Sequence, residues 1–266
     1  MDMCGFWKDR THWYASWFPT INEPVTTNVH LHAFPHWNWN DGDSVDIWSF
    51  SNAAAVSLEV NGQSVPCSGG PDALGSQKAA PTSHCAMQKF GHVEWNGVKF
   101  AKGQYTVTAY DESGAVTSVQ TVKTTGAPAK LKAEISRGVG QTLYAGCGDM
   151  ALVQVSVLDA DGNLCPDADN SDRNEITFTV SGTDTAWIEG TGNGDPSCLV
   201  NNKSPIRPAY HGLALAVIGS GNATGTITVT ATSPGLTSST VEIPVKTQDP
   251  TASDFSTKWC HQEPKW

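Results

Sequence analysis

From residue 25 the sequence takes up a period of two, and it holds that period to about residue 247. The runs "TNVHLHAF", "SVDIWSFS", "AVSLEVNGQSV", "HVEWNGVKF" and "GQYTVTAYDESGAVTSVQTVKT" alternate or cluster β-branched and aromatic residues between turn signals. Alternation of this kind gives each strand one apolar and one polar face, so the strands must pair and stack in two layers. Asn61-Gly62 and Ser113-Gly114 fit tight hairpins. Strands at this spacing make a sandwich of about 100 residues. "TTGAPAK" at 124–130 reads as a linker. Beyond it come "AKLKAEIS", "MALVQVSVLDADGN", "NEITFTVSG", "AWIEG", "GLALAVIGS", "GTITVTATSPG" and "STVEIPVKT", a second set of the same kind. The expected fold is all-β: two tandem immunoglobulin-like β-sandwiches over 21–125 and 126–247.

The N-terminus breaks the pattern. In "FWKDRTHWYASWF", Phe6, Trp7, Trp13, Tyr14, Trp17 and Phe18 fall in an i, i+3/i+4, i+7 stripe, with Lys8, Asp9, Arg10 and Ser16 elsewhere on the wheel. Pro19 ends the run. This predicts one short amphipathic α-helix within residues 1–20, placed before the sandwiches. So aromatic a helix cannot cover its own face, and the stripe is expected to meet a partner outside the β-rich remainder. The tail after 247 has no clear period and reads as an extended segment.

Charged residues make up only 16% of the 266, and the net charge of −10 argues against nucleic acid or an anionic membrane as partner. No apolar run approaches the roughly 20 residues of a membrane span. "MDMCGFWKDR" lacks the apolar core of a signal peptide, so the chain is expected to be cytosolic or to draw its export signal from a longer parent. The seven cysteines match no zinc spacing. Cys67 and Cys85 bracket a Gly/Pro/Ser-rich loop between two strands and are a disulfide pair if the parent is exported. Cys165 with Cys198 is a second candidate pair. Asn202-Lys203-Ser204 and Asn222-Ala223-Thr224 are glycosylation sequons, meaningful only on a eukaryotic secretory route.

The pieces in order resemble the region after the catalytic barrel in the β-galactosidase branch of glycoside hydrolase family 2. The residues that carry the resemblance are Cys4, Gly5, Phe6, Lys8, Asp9 and Arg10, then "PHWNW" at 35–39, then Ser51, Asn52, Val56, Leu58, Asn61 and Gly62. "TTGAPAKLKA", "VSVLDADGNLCPDADN", "NGDPSC" and "HGLALAVI" resemble the same enzymes' following immunoglobulin-like domain. Trp7 stands where the family has proline, and the 67–85 loop is an insertion. The resemblance implies that the helix is the last of a (β/α)8 barrel. Its partner would be that barrel, on the same or a separate polypeptide, in a β-galactoside-hydrolysing parent; the added cysteines favour an exported one.

Retaining glycosidases need two carboxylates about 5–5.5 Å apart. The resemblance puts both on barrel strands, so no catalytic residue is expected here. Glu23 in "INEP" reads as a linker residue, and Glu59 and Glu94 as exposed strand carboxylates. His36, Trp37 and Trp39 are a candidate carbohydrate contact, because flat indoles stack on sugar rings; a structural seam is the other reading. His30 and His32, in a cluster with Trp48, share a strand face at a spacing that suits a metal, but spacing sets no third ligand, and the resemblance implies packing. Asp159, Asp161, Asn163, Asp167, Asp169 and Asp172 have the composition of a calcium loop but not the EF-hand pattern, so a turn is expected. No metal or cofactor is therefore assigned.

Overall fold

The first alternating runs pair into two antiparallel sheets. A computed structural model describes residues 1–18, 29–68, 84–136, 142–146, 148–166, 174–183 and 186–247. Strands β1 (Leu31–Phe34), β2 (Ser44–Ser51) and β6 (Val93–Lys99) form one sheet in the order β1-β2-β6. The other has the order β4-β3-β7-β8, from β3 (Ala55–Val60), β4 (Gln63–Val65), β7 (Gln104–Tyr110) and β8 (Val116–Lys123). β5 (Cys85–Ala86) adds to β3. The period of two is clearest in β7, where Tyr105, Val107 and Ala109 are buried and the residues between them are not. Asn61 and Gly62 both take positive φ, as a tight hairpin between right-twisted strands requires.

The interior of this unit, Met1–Thr125, is aromatic: Trp37, Trp95 and Tyr105 lie among Ile47, Val56, Leu58, Val93 and Val107. Two devices tie it together. The expected Cys67–Cys85 disulfide is formed and fastens the segment after β4 to β5. The Gln120 amide spans the layers, accepting from the Ala33 N–H at 2.8 Å and donating to the Ala33 carbonyl at 3.0 Å, as a strand neighbour would.

The second unit starts at Gly126. One sheet has the order β13-β15-β11-β9, built from β9 (Lys130–Ile135), β11 (Met150–Leu158), β13 (Trp187–Gly192) and β15 (Leu213–Gly219). The other runs β10-β17-β16-β12-β14, from β10 (Leu143–Tyr144), β12 (Glu175–Ser181), β14 (Ile206–Pro208), β16 (Gly225–Thr232) and β17 (Ser239–Lys246). Its core is aliphatic, with Val153, Val155, Ile176, Ile218, Ile227, Val229 and Ile243 around Phe178. The fold is thus two immunoglobulin-like sandwiches preceded by one short helix. The tail from 248 lies outside the described residues.

Candidate functional site

The helix, α1, spans Asp9–Trp17 and is shorter than the 6–18 stripe. Asp2 Oδ1 accepts from the N–H groups of Cys4 and Phe6, and Gly5 takes a positive φ, so the chain turns before the helix begins. Asp9, His12, Trp13 and Ser16, at i, i+3, i+4 and i+7, face the first sandwich, and Ser16 is the one buried residue of the helix. Ser16 lies off the aromatic stripe, as expected, and it is this neighbouring face that packs inward. Phe6 is buried ahead of the helix, which corrects its expected place at a barrel interface. Trp13 donates its indole N–H to the Phe90 carbonyl at 3.2 Å, and Trp17 packs edge-on to Phe90. Trp7, Tyr14 and Phe18 remain exposed. A surface hollow of about 660 Å³ lies beside Tyr14, lined by Met1, Lys8, Asp9, Arg10 and Thr11.

On the inner side of α1, His32 Nε2 lies 2.9 Å from Asp9 Oδ1, and His12 Nδ1 lies 3.2 Å from His30 Nε2. Hydrogen bonding from His32 holds the Asp9 carboxyl below its ordinary value. Burial, and then the neighbouring His32 and His30, push His12 down from 6.5 to about 4. His30 and His32 pack against the helix.

The "PHWNW" segment divides its two tryptophans. Trp37 is 0% exposed, edge-on to Tyr105, and donates to the Ala101 carbonyl at 3.1 Å. It is core, which overturns it as a carbohydrate contact: no sugar ring reaches an indole closed on both faces. Trp39 is 42% exposed and stacks on His36, with ring centres 4.8 Å and planes 12° apart, leaving its other face outward. Its indole N–H donates to the His36 carbonyl at 2.9 Å, which fixes the ring.

Residues 138–242 match Glycoside hydrolase family 2 C-terminal domain 5, and residues 42–118 match a domain of unknown function, DUF4982. The chain is 36% identical over 244 residues to β-galactosidase BoGH2A of Bacteroides ovatus, an alignment that takes in 91% of this chain and 25% of that protein. The chain belongs to glycoside hydrolase family 2, in its C-terminal region. A β-glucuronidase of Formosa agariphila is 29% identical to this family 2 chain over 77% of it and 18% of the relative. The fold matches the crystal structure of a β-glycosidase from Bacteroides vulgatus, with TM-score 0.73 at 19% identity, over 92% of this chain and 27% of that one. The chain therefore spans a quarter or less of the length of these curated relatives.

Glu59 is exposed on β3. Glu94 was expected to be exposed but is 6% exposed, because Trp48 and His92 stack over that face of the sheet; His92 Nε2 lies 2.8 Å from its Oε1. Glu23 lies outside the described residues, as do Asp167, Asp169 and Asp172. Asp159 closes the "DADGN" turn: burial disfavours its charge, but the Asn163 side chain and the N–H groups of Gly126, Asn163 and Gly162 outweigh this and hold it at about 2. Its oxygens face these donors, and Asp161 is exposed, so 159–163 form a tight turn.

Cys165 and Cys198 are not joined. The Cys165 thiol is buried in the connection after β11 and donates to the Gly126 carbonyl at 3.8 Å, whereas Cys198 Sγ accepts from Arg207 Nη1 at 3.3 Å. Both sequon asparagines, Asn202 and Asn222, are exposed. Sequence reasoning missed Arg207 altogether. It is 1% exposed and donates to the carbonyls of Thr191, Val200 and Asn201 and to Thr191 Oγ1. Only its immediate neighbours, Ile206 and Pro208, gave any sequence hint of burial.

Proposed function

We propose that this chain is the non-catalytic supporting part of a family 2 glycosidase that hydrolyses terminal β-galactosides, and that it braces the catalytic barrel. One observation carries the reading: α1 is anchored to a sandwich, and Trp7 ahead of it, Tyr14 on it and Phe18 at its end are all largely exposed, Phe18 resting one face on Phe90. Exposed aromatics grouped on a fixed element are the makings of an interface core. The relative at 36% identity is a β-galactosidase, which favours that substrate over a glucuronide. The Cys67–Cys85 disulfide supports an exported parent.

The test is reconstitution. The purified 266-residue chain should leave a chromogenic β-galactoside uncleaved. Added to the Bacteroides ovatus relative truncated of its matching C-terminal quarter, it should bind and raise thermal stability. The Tyr14→Ser/Phe18→Ser variant should bind at least about tenfold more weakly. Turnover by the chain alone, abolished by Glu23→Gln, would overturn the reading.

A second reading rests on the outward face of Trp39: a free-standing carbohydrate-binding sandwich. Retardation in a galactan-containing gel, lost in Trp39→Ala, would favour it over bracing.

A further inference from the structure

Three imidazoles from two elements converge between α1 and β1. His12 and His32 stack face to face, with ring centres 3.6 Å and planes 7° apart, and His30 stacks at 5.3 Å on the same ring of His12. A shared metal does not account for this, since face-stacked rings direct their nitrogens along parallel planes rather than to one point. The 3.2 Å contact between His12 Nδ1 and His30 Nε2 requires one nitrogen to carry hydrogen and the other to offer a lone pair. Protonating the acceptor removes that lone pair and sets two N–H groups against each other. The titratable groups facing His12 are Asp9 on its own helix and His30 and His32 on the strand side. Asp9 is already engaged by His32. Next to β2, Ser51 and Asn52 meet the His30 backbone and are neutral.

We propose that His12, His30 and His32 form an acid-released latch that holds α1 on the first sandwich. The latch is independent of whether α1 meets a barrel. With His12 lowered to about 4, the seated helix takes up fewer protons than the released one at mildly acid pH. Attachment is therefore full above about pH 6.5 and weakens as pH falls toward 4. Asp9, also lowered, acts in the same direction: its contribution is lost as pH falls through the carboxylate range. The gap between 6.5 and about 4 sets a ceiling of about 300-fold, which partial solvent exposure reduces.

Peptide-resolved hydrogen exchange on the whole chain, corrected for intrinsic rates, tests this between pH 7 and 4. The amides of α1 should lose about tenfold or more of their protection while those of β7 and β16 keep theirs. His12→Phe retains a ring to stack on His32 but cannot ionise, and its α1 should stay protected over the same range. Unchanged protection of α1 in the unaltered chain, its loss together with β7, or the same loss in His12→Phe would each overturn the latch. Should His12→Phe not fold, proton NMR of the unaltered chain decides. A His12 midpoint near 4 supports the latch, and one at the ordinary imidazole value removes it.

Discussion

The two sandwiches share an architecture and hold their interiors by different means. The first is built around large rings with polar edges, and two of them anchor connections: the Trp37 indole reaches the Ala101 carbonyl, and the Tyr105 hydroxyl donates to the Pro35 carbonyl at 2.6 Å, while the buried Trp95 N–H finds no protein partner among the described residues. Each bond pins a connection to the core, and the Cys67–Cys85 disulfide pins a third. The second is filled with small branched residues that have no polar edges to spend. Its irregular segment between β13 and β14 is gathered instead by the buried Arg207 guanidinium, whose fork takes up backbone carbonyls that would otherwise be stranded. An aromatic core can organise its own loops, whereas an aliphatic core needs a dedicated polar residue.

The comparison can be broken in order of expected effect. Trp37→Ala should cost about 4 kcal/mol by urea denaturation, from the cavity and the lost anchor together. An effect near 1 kcal/mol would show that the first core tolerates the loss of its anchor. Arg207→Met keeps the volume and removes the donors. It should cost about 3 kcal/mol, concentrated in the exchange of amides between β13 and β14, because several buried carbonyls lose partners at once. Uniform loss across the second sandwich would instead make Arg207 a packing residue. Cys67→Ser with Cys85→Ser should cost about 2–3 kcal/mol, since it releases the unfolded chain from an 18-residue closure, and should leave the second sandwich untouched. The smallest effect is one of pH. Asp159, lowered to about 2, contributes stability that is present above the ordinary carboxyl value near 3.8 and lost as pH falls through 2. Acid titration followed by circular dichroism should therefore be flatter over that window in Asp159→Asn.

Much of the fold was legible because it is local. Period-two alternation marked most of the strands, Asn61-Gly62 its hairpin, and the loop between Cys67 and Cys85 its own closure. The candidate site was legible only in part. The segment "FWKDRTHWYASWF" shows that a helix with many rings is present, but not which of its faces packs on the sandwich. The turn built by Asp2 and Gly5 leaves Phe6 and Trp7 outside the helix, which starts at Asp9.

The sequence by itself determined the class, the two units and the family, since these rest on periodicity and on an ordered series of motifs. Tertiary structure alone decided which member of each set is buried. Trp37 and Trp39 have the same parity, yet one is core and the other exposed, because the segment after β1 leaves the sheet and strand alternation no longer applies. Glu94 is covered because Trp48 and His92 close over it from a neighbouring strand and a loop. Arg207 is buried because distant carbonyls converge on it. In each case the outcome is set by what packs across from a residue, and that partner is remote in the chain.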